Sequence, residues 1–155
     1  MSTRADATRR LERELSVLVR RLKRVVGERS REVHPDLQPA SYWMFTHLAE
    51  QGPLRASSLV EALDVDKGAV SRHVQHLLDL GLVNRCPDPE DGRATLISVS
   101  REGARRLADV DEHRRAWFAG VLGEWGDGEL AAFADELARY NATIDAAHSA
   151  TAVRA

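Results

Sequence analysis

The segment from 66 to 93, DKGAVSRHVQHLLDLGLVNRCPDPEDGR, constrains the fold more than any other part of the chain. Asp66 is a residue type that begins helices, because its carboxylate accepts the unpaired amides of the first turn. Gly81 is expected to end the helix, because glycine readily adopts the left-handed conformation found just after a helix. Between the two, apolar residues recur at helical spacing: Val70, Val74, Leu77 and Leu78. The segment therefore predicts a short amphipathic helix with one buried face.

A charged hairpin follows that helix. Leu82–Cys86 and Ala94–Val99 are strand-like, and Asp91-Gly92 between them is a turn signal. A helix that ends at glycine and runs into a hairpin is typical of a winged helix-turn-helix, in which the helix is the recognition helix and the hairpin is the wing.

Three further helices are predicted ahead of this segment. The first, from about Asp6 to Val33, carries a leucine and valine stripe that is too long to be buried against a small domain, so a partner helix is expected. Leu37–Gln51 and Ser57–Leu63 form the next two, and Leu54 is expected to pair with the wing as a one-residue strand.

Two helices are predicted after the wing. Ser100 is expected to cap a long helix that runs to about Gly123, and Asp127 is expected to cap the last one. The predicted fold class is therefore mainly α with a small β-wing.

Composition restricts the possible functions. The net charge of −2 is a weak objection to nucleic-acid binding, but residues 1–34 hold ten Lys or Arg against five Asp or Glu. No apolar run is long enough for a membrane span, and the N-terminus lacks the apolar core of a signal peptide, so a cytoplasmic protein without a membrane partner is expected. Cys86 is the single cysteine, which excludes an intrachain disulfide.

No pattern of residues predicts catalysis, a cofactor or a metal. The chain has neither a glycine-rich phosphate loop nor a Gly-x-Ser-x-Gly elbow. Its six histidines form no tight cluster with cysteine or carboxylates in the sequence. We therefore expect neither an enzyme nor a metalloprotein.

The chain resembles the MarR family of bacterial transcriptional regulators. LVEALDVDKGAVSRHVQHLLDLGLVNR is similar to the family's helix-turn-helix core, and DGRATLISVSREG resembles its wing and the start of its fifth helix. The long helices at both ends match its dimerisation region. One departure is Arg55, which stands where the family more often has a capping Ser or Thr; Ser57 or Ser58 is then expected to cap instead.

The resemblance implies one MarR-like domain over residues 1–155. Within it, 1–36 and 101–148 would be dimerisation helices, and 37–100 the winged helix-turn-helix DNA-binding lobe. The implied protein is a homodimeric, sequence-specific repressor that binds a pseudo-palindromic operator in double-stranded DNA and is released by a small-molecule effector. Two alternatives stay open: a winged-helix protein-interaction module without DNA binding, and a winged-helix metal sensor.

The candidate DNA contacts lie on the recognition helix and the wing. Arg93 is expected to enter the minor groove, held in direction by a bidentate pair with Asp91. Arg72 and Ser71 are expected to reach base edges or phosphates in the major groove. The full predicted set is Lys67, Gly68, Ser71, Arg72, Gln75, His76, Asp91, Arg93, Arg55 and Ser58.

Aromatic and histidine side chains are the candidates for effector binding. Trp43, His47 and Trp117 could line a pocket, with His34 near its mouth. Aromatic walls with a few polar groups suit a small aromatic or phenolic ligand.

Overall fold

A computed structural model describes residues 3–152 of the chain, with the side chains of residues 3–147. The first two and last three residues of the predicted domain lie outside the described residues. The architecture is mainly helical with one small sheet, as predicted. The elements are α1 (Arg4–Val33), α2 (Pro39–Gln51), β1 (Leu54–Arg55), α3 (Ala56–Leu63), α4 (Lys67–Asp79), β2 (Val83–Pro87), β3 (Thr95–Val99), α5 (Arg101–Val121) and α6 (Asp127–Ala152).

The chain divides into two compact units, one ending at Glu112 and the other beginning at His113. Each is described here by itself. Among the helices of the described residues, none is both long enough and apolar enough to cross a membrane.

The first unit contains a single cluster of buried apolar side chains. Phe45 from α2, Leu59 from α3 and Leu77 from α4 are fully buried at its centre. The cluster contains Val26, Val33, Leu37, Tyr42, Met44, Phe45, Leu48, Leu59, Val70, Val74, Leu77, Leu82, Val83, Ile97, Leu107 and Val110. The predicted inner face of the recognition helix lies in this core, which fixes the opposite face outward.

The sheet is antiparallel, and its strand order is β1-β3-β2. Leu54 pairs with Ile97 and Arg55 with Leu96, while β2 pairs with β3 from Val83 opposite Val99 to Pro87 opposite Thr95. The strand predicted at Leu54 is therefore present and one residue longer. It places the start of α3 beside the wing.

α3 begins one residue earlier than predicted. Arg55 occupies its N-cap position without any side-chain cap bond, and Ser57 and Ser58 lie inside the helix. The expected serine cap is therefore wrong. Arginine carries no side-chain oxygen that could accept the orphan amides.

A junction at Ser100 joins the recognition helix, the wing and α5. The buried Ser100 hydroxyl donates to the Gly81 carbonyl at 2.7 Å and accepts the Gly103 amide at 2.9 Å. The Ser100 amide donates to the Leu82 carbonyl at 2.9 Å. Gly103 packs so closely here that an added Cβ would collide with the Leu82 carbonyl oxygen and lie 3.0 Å from Phe45 Cζ.

Apolar side chains stand exposed on α1. The helix begins at a capping box in which Thr3 and Asp6 each accept the other's backbone amide. The C-terminal end of α1 packs in the core through Val26 and Val33, whereas the leucine stripe ahead of it is largely exposed. Its exposed members are Leu11, Leu18, Val19 and Leu22.

The second unit likewise leaves its apolar side chains exposed. None of the side chains described between 113 and 147 is buried. Edge-to-face ring pairs form between Trp117 and Phe118, with centroids 5.1 Å apart, and between Trp125 and Phe133, at 5.7 Å. The exposed apolar residues are Trp117, Phe118, Val121, Trp125, Phe133, Leu137 and Ile144.

Candidate nucleic-acid interface

The recognition helix α4 presents a polar outer face. The Asp66 carboxylate caps it by accepting the Ala69 amide at 2.8 Å, and Val70, Val74 and Leu77 anchor the opposite side in the core. The predicted DNA contacts Lys67, Gly68, Ser71, Arg72 and Gln75 are all exposed. Five of the six residues predicted on this helix therefore share one solvent-facing surface.

Gly68 leaves room for the Arg72 side chain. A Cβ added at Gly68 would lie 3.4 Å from Arg72 Nη1 and 3.0 Å from Asp66 Oδ1. The guanidinium therefore lies over the first turn of α4, close to the helix N-terminus.

His76, the sixth predicted residue, faces a different neighbour. It is half-buried, and its Nε2 lies 3.1 Å from the Asp36 carbonyl oxygen in the connection between α1 and α2. The structure thus places the His76 ring against the protein. Gln75 stays on the exposed face, where its Nε2 donates to Asp79 Oδ1 at 2.8 Å.

His73 is a contact that the sequence analysis missed. Its Nδ1 lies 3.0 Å from the Ser41 hydroxyl on α2. Burial, followed by the nearby charges of Arg72 and His76, lowers the pKa of His73 below its ordinary value. The hydrogen bond to Ser41 links α4 to α2. The helical spacing of His73 from Val70 and Leu77 was the available signal.

The wing tip exposes Arg93. Its guanidinium has no hydrogen-bond or ion-pair partner among the described residues, and its backbone amide donates to Asp91 Oδ1 at 3.1 Å. The expected bidentate pair between the two side chains is absent, because the Asp91 carboxylate closes the turn instead. Arg93 remains an unpaired cation at the end of the hairpin.

Arg55, another predicted contact, is engaged within the protein. Its Nε donates to Asp88 Oδ2 at 2.7 Å, and Asp88 is buried. A backbone hydrogen bond from Glu90, together with the Arg55 guanidinium, lowers the pKa of Asp88. Ser58, in α3, is half-buried.

A cleft of about 500 Å³ opens in the first unit between α2 and the turn that joins α3 to α4. Trp43 and His47 line it as predicted for an effector pocket, while His34 is not among its lining residues and Trp117 belongs to the second unit. Asp64, at the end of α3, adopts the left-handed conformation with φ of 50°. The lining residues are Ala40, Trp43, Met44, Thr46, His47, Glu50, Leu63, Val65 and His73.

No group of three or more histidine, cysteine or carboxylate side chains among the described residues could hold a metal ion. Cys86 is half-buried on β2, and its thiol lies 3.7 Å from the Leu96 carbonyl oxygen. The first unit thus presents an exposed polar helix face and a cleft with a mainly apolar lining.

Comparison with known proteins points in one direction. The sequence model of the MarR family matches residues 36–94. The uncharacterised HTH-type transcriptional regulator YxaD of Bacillus subtilis is 30% identical over 131 residues, which cover 84% of this chain and 90% of that protein. The uncharacterised HTH-type regulator Mb0904 of Mycobacterium bovis is 33% identical over 114 residues, covering 74% and 78%.

Solved structures share the fold. A MarR family protein from Bacillus stearothermophilus matches with a TM-score of 0.69 at 24% identity, over 88% of this chain and 97% of that one. RV1404 from Mycobacterium tuberculosis matches with a TM-score of 0.72 at 22% identity, over 84% and 89%. The predicted winged-helix fold class is confirmed, and these relatives and this fold are those of transcriptional regulators, not of enzymes.

Proposed function

The chain belongs to the MarR family of transcriptional regulators, and from that premise we propose that it is a sequence-specific repressor that reads DNA with α4 and the wing. The observation that carries this proposal is the pair of exposed arginines. Arg72 lies over the first turn of the recognition helix, and Arg93 stands unpaired at the wing tip. Arg72 would contact a guanine edge or a phosphate in the major groove. Arg93 would enter the flanking minor groove, where the potential is most negative.

The proposed repressor acts as a homodimer on a pseudo-palindromic operator. The exposed apolar stripes of α1 and of the second unit support this, because removing apolar side chains from water stabilises the assembly that covers them. A second copy of the chain would cover them. Two-fold symmetry would then place the two recognition helices about one turn of DNA apart, roughly 34 Å.

A small-molecule effector is proposed to release the DNA by binding the cleft beside Trp43. The volume of about 500 Å³ lies within the range of ligand sites. Glu50 in the lining favours a neutral phenol or an aromatic amine over an anion. The ligand would shift the equilibrium only through its different affinity for the DNA-bound and released states.

Fluorescence anisotropy against a duplex enriched from a randomised pool would test the DNA proposal, with a scrambled duplex beside it at about 50 and 200 mM salt. The wild-type protein should prefer the enriched duplex and weaken steeply with salt. Arg93→Ala and Arg72→Ala should each lose about tenfold or more in affinity. Arg72→Ala should also lose sequence preference.

Arg105→Ala is the matched control, since Arg105 is exposed in the same unit but already paired with Glu102 and Asp109. It should bind within about twofold of the wild type, because such surface pairs contribute little. In the same titration, 4-methylphenol should release the wild type more readily than Trp43→Leu. A wild type that enriches no duplex and shows no salt dependence would instead support the protein-interaction module.

A further inference from the structure

Arg55 forms an ion pair across the small sheet. Its Nε donates to Asp88 Oδ2 at 2.7 Å, and its Nη2 lies 2.5 Å from the same oxygen. The Asp88 side chain is 6% exposed, so this carboxylate depends on the protein for its partners. Nη2 also lies 4.0 Å from the Asp91 carboxylate. The guanidinium is thus balanced by carboxylates of the wing loop.

The pair connects the two edge strands of the sheet. Arg55 on β1 and Cys86 on β2 are both register partners of Leu96 on the central strand. Asp88 follows Pro87, the last residue of β2, at the point where the wing loop leaves the sheet. The contact therefore spans the sheet and joins the residue ahead of α3 to the base of the wing.

Asp88 also forms hydrogen bonds within the wing loop, through its carboxylate and its backbone amide. Asp88 Oδ1 accepts the Glu90 amide at 2.9 Å, and the Asp88 amide donates to the Ala94 carbonyl at 3.0 Å. The Ala94 amide in turn donates to the Asp91 carbonyl at 2.8 Å. Two hydrogen bonds of the loop that leads to Arg93 thus end on Asp88, which is itself paired with Arg55.

We propose that Arg55 is a positioning residue for DNA binding: its ion pair with Asp88, here called the clasp, fixes the base of the wing and thereby aims Arg93. This replaces the direct DNA contact predicted for Arg55 from the sequence. The DNA part of the inference depends on the proposed function, whereas the ordering of the wing does not.

Hydrogen exchange of the free protein tests the ordering. Arg55→Gln removes the cation, and Asp88→Asn removes the anion but keeps an oxygen for the Glu90 amide. In both variants the amides of Asp88 and Ala94 should exchange about tenfold faster than in the wild type, while those of α4 stay unchanged. Arg105→Gln, the matched control, should change neither set. Equal acceleration in α4 would mark a general loss of stability and overturn the proposal, as would unchanged wing amides.

Anisotropy with the enriched duplex tests the link to Arg93. Arg55→Gln and Asp88→Asn should each weaken binding about five- to tenfold, and the double variant should be no weaker than either one, since all three break one contact. In an Arg93→Ala background neither change should weaken binding further. A direct phosphate contact predicts the opposite: Asp88→Asn would strengthen binding, and Arg55→Gln would still weaken it without Arg93.

The two measurements separate two kinds of failure. If the wing amides respond but no duplex is enriched, the clasp stands as a wing-ordering device and the proposed function falls. If DNA is bound but the Arg55 effect persists in Arg93→Ala, the proposed function stands and the clasp falls.

Discussion

Two histidines of α4 link this helix to α2 and to the connection ahead of α2. His73 is bonded to Ser41 on α2, and His76 contacts the Asp36 carbonyl oxygen. Both belong to α4, one helical turn apart, so the helix is fixed to the rest of the lobe by polar contacts as well as by its apolar face.

The stability of the lobe should therefore fall in mild acid. In the folded protein, burial and the charges of Arg72 and His76, opposed by Asp66, lower the pKa of His73 below its ordinary value. Below about pH 6.5 His73 binds a proton in the unfolded chain but not in the folded one. The free energy of unfolding therefore declines as the pH falls, until the pH is below the lowered pKa of the folded state.

Urea unfolding between pH 8 and pH 5 measures this effect. His73→Gln should show a smaller decline than the wild type, with the difference between the two at pH 8 as the baseline. An identical decline in the variant would assign the acid sensitivity to other groups.

Sequence reasoning predicted individual side-chain contacts less well than it predicted helices and strands. The exposed positions of Lys67, Ser71 and Arg72 follow from helical periodicity, because the buried stripe dictates its opposite face. The pairing of Arg55 with Asp88 does not, since 33 residues separate them and only the sheet register brings them together. The sequence suggested Arg93 as the partner of Asp91, but a carboxylate within a turn reaches the nearby backbone amide first.

α5 is held close to the start of β2 by the absence of a side chain at Gly103. Gly103→Ala should lower the free energy of unfolding by about 1–3 kcal/mol, because the new Cβ would meet the Leu82 backbone oxygen, which cannot move without disturbing β2. Gly120→Ala is the matched control in the same helix, where nothing lies within 4 Å. It should raise the free energy of unfolding by about 0.5–1 kcal/mol.

Urea unfolding of both variants at one protomer concentration tests this contrast. Equal shifts of the two midpoints would mean that helix propensity alone decides the result and that the close packing at Gly103 is not required.

Elements were predictable from the sequence, while their ends were not. Each predicted helix and both wing strands are present. Apolar residues that recur every three to four positions indicate a helix, and those that alternate indicate a strand, so both can be recognised in one sequence. α1 begins at Arg4 instead of Asp6 because Thr3 completes a capping box, and α5 ends at Val121 instead of Gly123. Caps depend on single hydrogen bonds, which the periodicity does not encode.

At the scale of the whole molecule, the exposed apolar stripe of α1 should set the oligomeric state. Leu18→Lys would put a charge into the proposed dimer interface, and the dimer should dissociate at least tenfold more readily, since a buried leucine contributes about 1.5–3 kcal/mol. Trp43→Lys makes a similar change at an exposed residue of α2 and should leave the dimer intact.

Sedimentation equilibrium across a range of protomer concentrations would measure both variants. If Leu18→Lys keeps the mass of the wild type, α1 lies outside the interface, and the stripe needs a different occupant.

The Ser100 junction connects the segment after α4, the start of β2 and the first turn of α5. The Ser100 hydroxyl links Gly81, two residues beyond the end of α4, to Gly103 in the first turn of α5, and the Ser100 amide bonds to Leu82, just ahead of β2. We therefore expect α4 and the first turn of α5 to move as one rigid body, since these hydrogen bonds and the close packing at Gly103 connect them. A force on α5 would then change the position of α4 and leave the shape of α4 unchanged.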